Sequence, residues 1–133
     1  MANTLDPQPP VLSSDERTWA VLAHLGALGG SIFGFGFVIP MVILLTKGND
    51  LEYVKSHSRE ALNFQLTLLV AFLAVFVSYL VMVFLVPWWL PIVLLILAGF
   101  TLGGVALAFP IIAGVKSSRG QEYKYPVAIR FVH

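Results

Sequence analysis

Apolar positions in this chain come in long unbroken blocks, without the short alternations of a soluble domain. Across residues 61–115, fifty-five consecutive positions carry no Asp, Glu, Lys, Arg or His. About twenty apolar residues of helix cross the hydrocarbon of a bilayer. The block therefore predicts two full transmembrane helices, 61–86 and 92–115, joined by the uncharged turn Pro87-Trp88-Trp89-Leu90-Pro91. Two tryptophans in that turn suit the headgroup level, where amphipathic rings collect. An earlier apolar segment, 18–46, is interrupted by Gly26, Gly29, Gly30, Gly34 and Gly36. Glycine costs up to about 1 kcal/mol in a helix interior relative to alanine. Five in eleven residues predict a broken pair of half-length helices, 14–29 and 36–47, either re-entrant or spanning. A single tilted span is the alternative. Ser13 with Glu16 three residues on forms a capping box that starts the first helix near Ser14. Asn49 with Glu52 is a weaker cap signal ahead of the next helix.

The expected fold class is an all-α integral membrane protein, a small helical bundle. Residues 13–133 form one membrane domain, and the polar, proline-rich residues 1–12 read as a disordered tail. The acidic and basic residues Asp15, Glu16 and Arg17 precede the first apolar block, so no cleaved leader is expected. Residues 116–133 alternate between Tyr123, Tyr125, Val127, Ile129, Phe131 and the intervening positions. That period predicts an extended segment along the interface, rings down, with Lys124 and Arg130 reaching anionic headgroups. A short ordered tail packed on the connector is the plainer alternative.

Charge sets the orientation. Lys47, Lys55 and Arg59 lie in the 47–60 connector; Lys116, Arg119, Lys124 and Arg130 lie in the tail; the 87–91 turn has no basic residue. Seven of the eight basic residues thus share one side, which the positive-inside rule makes cytoplasmic in a cell inner membrane. Arg17 joins them if the first pair is re-entrant.

Three patterns could carry chemistry. On the helix entering the first crossing, Glu52, Ser56, Arg59, Glu60, Asn63, Thr67 and Ser78 fall within about a 100° arc. A polar stripe descending into an apolar helix faces protein or water rather than lipid. It is either hydrogen-bonding glue or the wall of a small channel or carrier, and glue is the simpler reading. Gln65 points to the opposite face and needs a partner of its own. In the second crossing, Gly99, Gly103, Ala106 and Gly114 form a small-residue ridge suited to close helix packing, within the chain or against a second copy. Packing within the chain is the expectation, with a kink at Pro110. His24 is the one titratable group in the first apolar segment, and a hydrogen-bonded structural role is expected for it.

Several classes fall away. With no cysteine, disulfides and Cys-ligated metals are excluded. His57-Ser58-Arg59-Glu60-Ala61 is not a metalloprotease motif, no phosphate-binding loop is present, and His24, His57 and His133 lack zinc-ligand spacing. No catalytic residue, cofactor, metal or nucleic-acid partner is expected. The expected partners are the lipid bilayer and other membrane proteins or further copies of the chain.

Four blocks are nonetheless distinctive: Asp15-Glu16-Arg17-Thr18-Trp19-Ala20-Val21-Leu22-Ala23-His24-Leu25; Phe37-Val38-Ile39-Pro40; His57-Ser58-Arg59-Glu60-Ala61-Leu62-Asn63-Phe64-Gln65; and Gly120-Gln121-Glu122-Tyr123-Lys124-Tyr125-Pro126. In this order the chain resembles the bacterial membrane family of unknown function grouped with Tic-twenty, the chloroplast inner-envelope import component. The resemblance covers Asp15 to Phe131 and implies a four-helix membrane protein with both ends on one side. It marks His24, Pro40, Glu60, Asn63, Gln65, Tyr123, Tyr125 and Pro126 as motif positions. It implies no activity, so the expected function is that of a non-enzymatic component acting by assembly.

Overall fold

The computed structural model describes residues 11–133; the expected tail therefore lies almost wholly outside the described residues. Four helices follow one another: α1 (Ser14–Ser31), α2 (Val38–Lys47), α3 (Glu52–Leu85) and α4 (Trp89–Ser118). The all-helical class and the two long apolar helices agree with the sequence reading.

The capping box starts α1 as expected. The Glu16 amide donates to Ser13 Oγ at 3.1 Å, and the Ser13 amide donates to Glu16 Oε2 at 2.8 Å. The break comes later than the glycine count suggested. Gly26, Gly29 and Gly30 stay helical, and the chain turns only after Ser31. Gly34 sits at φ +79 in that turn, a backbone conformation that costs other residues strain. Gly26 serves packing instead: a Cβ there would lie 2.6 Å from Ile39 Cγ2, so its absence lets α2 close on α1. Pro40 is the third residue of α2, where no intrahelical partner awaits its missing amide.

α3 runs unbroken for 34 residues, about 51 Å at 1.5 Å per residue. Its N-cap is Leu51, with no side-chain cap, so the Asn49 signal is not used. α4 begins at Trp89, earlier than expected, and continues through Pro110.

The α1–α2 pair folds back on itself. Lys47, at the end of α2, lies over the Trp19 ring near the start of α1. Arg17 lies beside Gly120, just past the end of α4. At the other end of the pair, Ser31 donates to Gln65 Oε1 at 3.0 Å, partway along α3. Gln65 thus meets the separate partner its position demanded. A Cβ at Gly36 would lie 2.6 Å from that same Gln65 oxygen and 2.9 Å from Ala27 O, so only glycine allows this approach. The pair therefore packs only against the polar-end halves of α3 and α4. All eight basic residues, Arg17 included, gather at that end.

Packing follows from small residues. Ala20, Ala23 and Ala27 recur on one face of α1 and are fully or nearly fully buried, which allows the helix to nest between α3 and α4. One core cluster joins Ala23, Ile43, Val54 and Ala61. A second joins Phe64 and Ala113 to Tyr123 and Tyr125 of the C-terminal segment. From Leu69 outward, α3 and α4 run as a bare pair with Phe72, Phe76, Val77, Leu80, Val81 and Leu85 exposed. Exposed apolar surface on that scale belongs against lipid.

Candidate functional site

The tail is closer to the plainer of its two sequence readings, packed on the protein, than to rings laid along the interface. After the turn at Gly120 (φ +73), the segment folds back over α3. It is extended and irregular, with a turn at Pro126-Val127. The Tyr123 and Tyr125 rings do not point down into lipid. Both enter the protein, and Tyr125 stacks on Phe64 with centroids 4.2 Å apart. Arg130 likewise reaches Glu60, at 3.4 Å, rather than the headgroups expected for it. The reason is local: Phe64 of α3 and Ala113 of α4, with Leu68 and Phe109 beside them, form an apolar cluster that takes in both rings.

The polar stripe of α3 receives the tail backbone. Glu60 Oε2 accepts from the Tyr125 amide at 3.1 Å. Asn63 Oδ1 accepts from the Phe131 and Val132 amides at 2.9 and 2.8 Å, while its Nδ2 donates to the Val132 carbonyl at 2.9 Å. Thr67 donates to the Asn63 carbonyl one turn back, leaving its oxygen to accept from the Ile129 amide at 2.8 Å. Among the described residues, these three side chains bond the tail backbone rather than a partner helix. Ser78, farther out, bonds only its own helix. Arg59 makes no such contact with the tail: its Nε is buried without a hydrogen-bond partner among the described residues.

Beneath the tail lies a buried polar chain. His24 Nδ1 is 2.9 Å from the Tyr125 hydroxyl, and His24 Nε2 is 2.9 Å from His57 Nδ1. The same His57 nitrogen is 3.1 Å from Ser117 Oγ on α4. Both imidazoles are fully buried. Two doubly protonated rings would set N–H against N–H across the 2.9 Å gap, so the pair carries at most one positive charge. Tyr125 belongs to this chain as its outer member. Burial pushes its hydroxyl well above the usual tyrosine range, with Tyr123 and Glu60 adding to the effect, so it remains a neutral phenol. His57 Nε2 is 4.0 Å from Glu122 Oε2 and has no hydrogen-bond partner among the described residues. Tyr53 closes the site by donating to the Ser117 carbonyl at 3.0 Å.

The sequence had marked His24, Glu60, Asn63, Tyr123 and Tyr125, and the structure brings them together. It had not given roles to His57, Ser117 or Tyr53. The α-helical spacing of Tyr53 and His57 was the available signal, because a buried ring four residues from a buried imidazole shares its face.

The small-residue ridge of α4 divides. Gly114 packs on Leu25 of α1, where a Cβ would come within 3.1 Å. Ala106 lines an apolar groove between α3 and α4 of about 460 Å³, with Phe72, Phe76, Leu95, Gly99 and Gly103. A Cβ at Gly99 or Gly103 would meet nothing within 4 Å among the described residues, so the expected packing within the chain holds only at the Gly114 end.

No curated protein and no solved structure gives a significant match to the chain. A protein family does. The expectation of a small bacterial membrane family agrees with that match, whereas the relation to Tic-twenty gains no support from it. Residues 15–132 match the family's model from the start of α1 to the end of the clasped tail, and the chain belongs to the magnetosome magnetite crystal formation protein family.

Proposed function

We propose that this protein is a non-enzymatic membrane component that serves magnetite crystal formation by assembling, with further copies of itself or with other membrane proteins, in a bilayer. The open glycine seam on α4 carries the reading. Gly99 and Gly103 stand beside an apolar groove with no neighbour against them among the described residues, and membrane helices associate through such close backbone approaches. The polar groups at the other end are largely engaged within the chain, so they hold the fold rather than offer a reaction centre. The connector and tail lie on the cytoplasmic side, as the gathering of basic residues favours. Family membership supports the mineral context through the family's description alone.

Cysteine crosslinking in native membranes tests this. With Gly103→Cys, a crosslinked band to a second copy or to another membrane protein is expected, and Gly103→Leu should abolish copurification of the same species while altering crystal size. An uncrosslinked monomer whose Gly103→Leu variant forms normal crystals would reject the reading.

A further inference from the structure

We propose that residues 127–131 of the tail dip into the lipid of the leaflet at the polar end, making the tail a second element inserted from that side, with Val127, Ile129 and Phe131 against acyl chains. The argument rests on register. The uncharged run begins at Ala61, and the tail bonds to α3 at Asn63 and Thr67, inside that run. Thr67 is six residues past Ala61, or about 9 Å along the helix. The chain descends from Tyr125, held at Glu60, to Ile129, held at Thr67, and climbs back to Val132, held at Asn63.

Extended backbone at that depth needs its polar groups paired, since lipid offers no partners. Four of the five amides from Ala128 to Val132 have them: Ala128 donates to the Tyr125 carbonyl, Ile129 to Thr67, and Phe131 and Val132 to Asn63. Polar side chains inside an apolar helix are costly. Asn63 and Thr67 thus have a physical reason to be there, as the satisfiers of a neighbouring backbone. The side chains turned away from α3 suit the same setting: Val127, Ile129 and Phe131 are 49%, 54% and 47% exposed. Arg130, half exposed, reaches along α3 to Glu60 toward the polar end, the direction a long cationic side chain takes when its backbone sits below the headgroups.

The chain lacks cysteine, so single nitroxide labels can be placed directly. In liposomes, a label at Ile129→Cys should be relaxed strongly by oxygen and weakly by a water-soluble nickel chelate, matching a label at Phe72→Cys and opposite to one at Glu52→Cys. A nickel-accessible label at 129 overturns the proposal, and so does a label shielded from both reagents, which would mean that protein covers the tail. Adding Asn63→Leu should shift the label at 129 several-fold toward the nickel-accessible pattern; an unchanged profile would reject the role given to Asn63. The inference does not depend on what the protein assembles with. It does depend on α3 lying in lipid, and the label at 72 reports on that separately: an aqueous reading there would overturn both.

Discussion

The two ends of this molecule are built from the same pair of long helices and are held together by different means. At the polar end, α1, α2 and the tail pack around α3 and α4, and side-chain hydrogen bonds link segments more than thirty residues apart. At the far end, α3 and α4 run alone, with apolar side chains outward and an open groove between them. The polar end is a protein interior. The far end has no interior, and its surroundings complete it. Truncating a side chain should therefore matter greatly at one end and little at the other.

The sharpest test of this contrast pairs two aromatic truncations. Tyr125→Ala removes a buried ring stacked on Phe64 and should cost about 3–5 kcal/mol of stability in mixed-micelle unfolding. Phe76→Ala, on the exposed stretch of α3, should cost less than about 1 kcal/mol, because helix association in lipid lacks a hydrophobic driving force. Equal losses would break the contrast. Next, Gly36→Ala forces a methyl group onto Gln65 and Ala27 and should cost about 1–3 kcal/mol by the same assay. Asn63→Leu removes three hydrogen bonds to the tail backbone and strands the Val132 amide and carbonyl. It should cost about 1–3 kcal/mol and speed hydrogen exchange at Phe131 and Val132, while exchange in the far end stays unchanged.

Alkaline pH offers a milder probe of the polar end. The folded chain holds the Tyr125 hydroxyl above its ordinary value of 10.0, so the stability tied to the neutral phenol is complete below that pH and declines as pH rises beyond it. Tail release followed by limited proteolysis should appear on that side, and Tyr125→Phe should flatten the dependence. The smallest effect is expected for Gly103→Leu, which fills open space and should change monomer stability by no more than about 0.5 kcal/mol.

Much of the fold was legible because lipid imposes a coarse pattern. The uncharged run announced two helices long and apolar enough to cross a bilayer, the capping box fixed the start of α1, and the opposite-facing Gln65 announced a partner. The clasped tail was harder to read. Its alternation of rings and polar residues fits a membrane surface as well as a groove in the protein. Only three-dimensional packing reveals that Phe64 of α3 and Ala113 of α4 receive Tyr123 and Tyr125. The glycines were ambiguous for a related reason: the same missing side chain suits a turn at Gly34, a close contact at Gly26 and an open seam at Gly103. Composition cannot distinguish these, because the difference lies in what stands opposite.

The hairpin that turns at Gly34 also gives the molecule an uneven girth. Four helices and the tail pack together at one end, and α3 and α4 run on alone at the other. A bilayer crossed by α3 and α4 would therefore lose more lipid from the leaflet around the wider end. With copies crowded side by side, that inequality in area would add up, and the leaflet holding the wider ends would become the convex one.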